Sequence, residues 1–141
     1  MGLQRIVGPA SSALDLDDLK RRLKVEHTDD DVVLDAFLQG AIAHAEGPEG
    51  FTGRALIDQT WDLYLDRFPG AGRWHGFKPW HVQVAHPDNV IEIPLPPLIA
   101  VEAFKYLDEA GNELDVDAAT YVVDTASQPG RIVLLADSQW P

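Results

Sequence analysis

The sequence predicts an α+β fold: an N-terminal helical hairpin followed by a small, mostly antiparallel β-sheet. Three observations predict it. Apolar residues recur at helical spacing between positions 15 and 47. From Thr60 the pattern alternates instead, with Trp61, Leu63 and Leu65 on one side and Asp62, Tyr64 and Asp66 on the other. Between the two lies Gly47-Pro48, where glycine takes a left-handed cap and proline cannot continue the helix. A chain of 141 residues fits one domain, with or without an arm. The expected division is a flexible arm over 1–14 and a single domain over 15–141. Its helical part covers 15–50, and its β-rich part covers 58–135 with a long loop at 69–89.

The arm carries Gly, Pro and Ser and shows no period. Asp15 then suits an N-cap, with Asp17 and Asp18 near the positive end of the helix dipole. Leu16, Leu19 and Leu23 share one face, and Lys20, Arg21, Arg22 and Lys24 fall toward the C-terminal end, which favours cations. Such a basic run is more often a solvated helix face than a nucleic-acid contact. Thr28 reads as the start of a second helix, with Asp31 three residues on as an imperfect capping box. Val33, Leu34, Phe37, Leu38, Ala41, Ile42 and Ala45 make a face wide enough to need more than one neighbour. His44 on this helix reads as a surface or interface residue.

Residues 51–61, FTGRALIDQTW, form the hinge into the β-rich part, with Gly53 allowing a tight bend. After the first strand, 69–89 holds Trp74, Phe77, Trp80 and three histidines among prolines and glycines. Loops of that length are usually functional or disordered. Asn89–Ile93 reads as a strand closed by the prolines of 94–98, which forbid a central strand. Ile99–Leu107 reads as the next strand, and Glu109 to Asn112 as a turn. Short strands follow at 113–116, 121–124 and 131–135, the last two joined by the turn signal Ser127-Gln128-Pro129-Gly130.

Composition narrows the function. The formal net charge is −12, so the chain cannot grip nucleic acid by neutralising phosphates, which needs clustered Lys and Arg. Such a charge serves solubility, or a wall past which DNA slides without sticking. No apolar run approaches the length of a bilayer span, and no secretory leader is read at the N-terminus. With no cysteine, disulfides and thiolate metal sites are excluded, which suits a cytosolic origin.

The chemistry-bearing residues form no catalytic pattern. His75, His81, His86 and Asp88 are metal-ligating types, but none has i, i+4 spacing on an expected helix, and no HExxH occurs. No metal, cofactor or catalytic residue is expected. Ser11, Ser12, Ser127 and Ser138 lack a nucleophile elbow, and the Gly50–Arg54 stretch is not a phosphate loop. Trp74 and Trp80 suit stacking on sugars or docking on another subunit, where aromatic residues supply contact energy. Trp74, Phe77, Trp80 and Trp140 are the candidate protein-interface residues. The competing readings are a small His-dependent metal enzyme and a carbohydrate-binding module using Trp74 and Trp80. The helical N-terminal third speaks against the second, since such modules are usually all-β.

Several segments together carry a resemblance: LDDLKRRLKVEHTDDDVVL, GPEGFTGRALIDQTWDLYLDRFP, IEIPLPPLIAVEAFKYLDEAG, YVVDTASQPGRIVLL and SQWP. The most specific combination is GRAL-xx-QTW, then I-x-I-P-x-PP, then Y-x-V-D before a Pro-Gly turn. In this order, over nearly all of the chain after residue 13, they resemble the phage head–tail connector (adaptor) family of prophages and gene-transfer agents. The resemblance implies a structural virion protein and no enzyme. It implies a homo-oligomeric ring of twelve copies under the portal protein, at the neck of a particle assembled in the bacterial cytoplasm. The ring would extend the DNA channel, pass DNA without sequence-specific binding, and meet a stopper or tail-terminator protein below. No membrane is implied. Family members usually continue past the Trp-Pro pair with a further strand and a terminal helix, whereas this sequence ends at Trp140-Pro141. A ring needs a head-to-tail contact and hence two different adhesive faces. The apolar second helix and the aromatic loop are the candidates.

Overall fold

In the computed structural model, residues 1–69 and 89–141 are described. Their element order is β1 (Gly2–Val7), α1 (Leu16–Leu23), α2 (Asp31–Ala45), β2 (Thr60–Tyr64), β3 (Val90–Ile93), β4 (Lys105–Leu107), β5 (Glu113–Asp115), β6 (Tyr121–Asp124) and β7 (Gly130–Leu134). This overturns the expected helical hairpin followed by one small sheet. A strand precedes the helices, and the strands form three separate antiparallel sheets, ordered β1-β2, β3-β7-β6 and β4-β5. The chain divides into two compact units. One comprises Gly2–Tyr64 with Pro94–Pro96, and the other Met1, Leu65–Ile93 and Pro97–Pro141.

In the helical unit, the stretch expected as a loose arm contains β1, which pairs with β2 from Gly2↔Tyr64 to Val7↔Thr60. The cause is non-local: β2 offers a free row of backbone donors and acceptors, and β1 satisfies them. Arg5 lies over the Trp61 ring at 5.8 Å, close enough for a cation–π attraction. The cap of α1 is as expected: the Asp15 carboxylate accepts from the Asp18 backbone N–H at 2.6 Å. Lys24 ends the helix in the left-handed conformation (φ 58°). Helix α2 begins three residues later than expected. Thr28 closes only a turn, accepting from the Asp31 N–H at 3.2 Å, and Asp30 is the cap residue. Lys20 reaches from α1 to Asp31 at 2.5 Å.

The C-terminal end of α2 is closed by the loop that follows. The His44 and Ala45 carbonyls accept from the N–H groups of Phe51 and Thr52, at 2.8 and 3.2 Å. These are orphan carbonyls that every helix end must satisfy. Gly47 takes φ 90° and donates to the Arg54 carbonyl. A Cβ at Gly50 would strike the Glu46 backbone, so the loop closes only with glycine there. The Gln59 side-chain amide donates to the Glu46 carboxylate, tying the QTW stretch to the end of α2.

The second unit is built on β3-β7-β6, with Ile91 opposite Ile132 and Val123 also opposite Ile132. Ile91, Ile132, Leu134 and Val116 are buried. Of the strand expected over 99–107, only Lys105–Leu107 pairs, with β5. A Cβ on Gly130 would collide with the Leu98 side chain, so the sheet approaches the segment before β4 closely. Asp108 organises the β4–β5 turn by accepting from the N–H groups of Ala110 and Asn112, at 2.9 and 2.7 Å. Asp124 does the same for the β6–β7 turn, accepting from Ala126 and Ser127 N–H and from the Ser127 hydroxyl. Five half-buried aromatic rings cluster in this unit: Phe68, Phe104, Tyr106, Tyr121 and Trp140.

Candidate protein-interaction surface

Helix α2 has two faces that differ in burial rather than in polarity. At about 100° per residue, Leu34, Leu38, Ile42 and Ala45 share one side, and these are buried or half-buried. The remaining apolar positions point elsewhere. Val33, Phe37, Gly40, Ala41 and His44 fall within an arc of about 100° and all are exposed. Val32, Ala36 and Ala43 extend that exposed surface. Phe37 is 71% exposed and Val32 83%. A helix that is apolar all round is normally covered all round. The sequence indicated that α2 needs more than one neighbour, and the side carrying Phe37 is left uncovered.

The rest of the helical unit repeats the pattern. Ile6, Val7, Leu14, Leu23 and Leu56 are exposed, and Phe51 is 87% exposed at the tip of the loop that caps α2. Only Leu38 and Leu95 are large apolar residues buried in this unit. The Phe51 N–H donates to the His44 carbonyl, so its backbone closes the helix end while its side chain stands exposed. Sequence reading missed Phe51 as an interface candidate. The signal was present, since a phenylalanine between Gly50 and Gly53 has no partner at helical or strand spacing.

The sequence-selected residues are distributed differently. Trp74, Phe77 and Trp80 lie outside the described residues, as do His75, His81, His86 and Asp88. Trp140 is half-buried and stacks on Phe68, with ring centroids 5.2 Å apart and planes 12° apart. Its ring also meets Phe104 edge-on at 6.0 Å. His44 is exposed on the uncovered side of α2. Among the described residues, no group of three or more His, Asp or Glu could hold a metal ion. No helix among them is long and apolar enough to cross a membrane.

The perturbed ionisable groups lie at turns and strand pairs. The Ser127 and Arg131 side chains hold the Asp124 carboxyl down at about 2. The Asn112 amide and backbone lower that of Asp108. The Glu113 carboxylate across the hairpin raises Lys105, through a hydrogen bond of 2.9 Å and its charge. Each shift is explained by a partner that fixes local backbone. The motif residues do similar work. Arg54 lends its carbonyl to Gly47, Gln59 holds Glu46, and Asp124 ties its turn. Comparison with family models, curated proteins and solved structures gave no match.

Proposed function

We propose that this chain is a structural head–tail connector subunit that forms a ring beneath the portal of a phage-like or gene-transfer particle. The ring extends the DNA channel and joins the head to stopper or tail proteins. The observation that carries this reading is the run of motif segments, in one order over nearly the whole chain after residue 13. Two features support it. The helical unit leaves Phe37, Phe51, Val32 and Leu23 in water, apolar side chains that a protein contact would cover. The charge of −12 per subunit gives a channel wall little hold on phosphate.

Deleting the gene in a producing strain tests the reading. Electron microscopy is expected to show heads and tails unjoined, with joined particles restored by supplying the gene in trans. Joined particles in the deletion strain would rule out the connector role.

A further inference from the structure

We infer that the uncovered face of α2 docks the exposed end of α1 of a second copy of this chain, in a head-to-tail contact. This rests on the ring part of the proposed function and names the two surfaces that meet. The receiving face is Phe37 with Val33 and Ala41, and it carries no formal charge unless His44 is protonated. Acidic groups border its N-terminal end: Asp29 and Asp30 stand exposed before Val32 and Val33. A matching surface must therefore be apolar with cations beside it.

The chain itself carries such a surface. Leu23 is 53% exposed at the last turn of α1. Arg22 and Lys24 flank it, both exposed. Among the described residues neither is in an ion pair, unlike Lys20 and Arg21, which are held by Asp31 and Asp18. The two surfaces are different, so each copy offers one and receives the other. Such a heterologous contact propagates from subunit to subunit and closes into a ring when the rotation allows.

Size sets the strength of the contact. A helix face of 15 residues is about 22 Å long and about 10–12 Å wide, or roughly 250 Å², against about 800 Å² per partner in a standard stable interface. One such contact alone is weak. It becomes persistent when several act in one closed or templated ring.

The absence of cysteine makes the contact directly measurable. Leu23→Cys and Phe37→Cys are prepared singly, and their melting temperatures checked against the parent protein. Each is then oxidised alone and as an equimolar mixture, at high concentration and raised salt. The mixture is expected to give a disulfide-linked pair with one chain of each kind, several-fold above either variant alone. Arg22→Glu with Lys24→Glu on the Leu23→Cys chain should abolish the pair, and Asp29→Lys with Asp30→Lys on the Phe37→Cys chain should restore it. Cross-linking of Phe37→Cys with itself to the same extent would mean a two-fold contact and overturn the inference. So would an uncross-linked mixture, which would leave the face to a different protein. This is read on purified protein, so its failure is distinguishable from failure of the connector role, which is read on particles.

Discussion

Trp140 lies flat on Phe68, with 12° between the ring planes and 5.2 Å between their centroids. The penultimate residue is thereby packed against a segment just after β2, and both rings reach Phe104. Trp140→Ala is expected to destabilise this unit by about 2–4 kcal/mol. That is near the low end for large aromatic truncations because the ring is half-buried. Urea unfolding followed by tyrosine and tryptophan fluorescence measures it. An unchanged midpoint would return Trp140 to the list of interface residues.

Asp124 predicts an acid transition. Its folded pKa of about 2 lies below the ordinary aspartate value of about 3.9. Its contribution to stability is therefore fully present above the unfolded value and is lost as the pH falls from there through about 2. Asp124→Asn should flatten the decline of melting temperature over that window while leaving the slope above pH 5 unchanged. An identical acid profile for the variant would contradict this.

Lys24 holds a left-handed conformation at the end of α1 with φ 58°. A side chain there carries a Cβ penalty that glycine does not. Lys24→Gly is expected to raise stability by about 0.5–1 kcal/mol, the range for relieving such a cap less the added freedom of the unfolded chain. A lower melting temperature would show that the Lys24 side chain makes a stabilising contact.

Gly50 is tested in the opposite direction. A Cβ there meets the Glu46 backbone, which cannot move without opening the end of α2. Gly50→Ala is expected to cost about 2–3 kcal/mol, typical of forced overpacking. Helical circular dichroism should fall with it. A neutral variant would mean that the loop tolerates a wider turn.

Self-association should respond to salt. At −12 per subunit, repulsion opposes contact between copies, and screening shortens its range to about 8 Å at physiological ionic strength. The free protein is expected to be monomeric or weakly associated at low salt and to associate more as salt rises, as light scattering would record. A stable ring at low salt without portal would refute assembly on a portal template.

The sequence by itself determined what short-range chemistry controls. Asp15 caps α1 because its carboxylate reaches an N–H three residues on. Helix α2 stops just ahead of Gly47-Pro48, as the sequence indicates, although Glu46 already turns extended there and Gly47 follows with φ 90°, which glycine takes without cost. The strands expected over 121–124 and 131–135, from the turn signal between them, form over 121–124 and 130–134. Tertiary structure alone decided the rest. Residues 2–7 have no strand-like period, and they become β1 because a partner some sixty positions away, Tyr64 to Thr60, completes their hydrogen bonds. One expected sheet became three because pairing depends on which edges meet, a property no single strand carries. The residues 99–103 look apolar enough for a strand and yet join no ladder; pairing is confined to Lys105–Leu107, with the Phe104 carbonyl accepting from the Val116 N–H beyond it. In α2, spacing showed one wide apolar face, but burial of Leu38 and exposure of Phe37 depend on where neighbouring segments pack. Hydrogen bonds within a few residues are written into the local sequence. Sheet partners and covered faces are set by contacts between distant segments, so only the folded chain selects them.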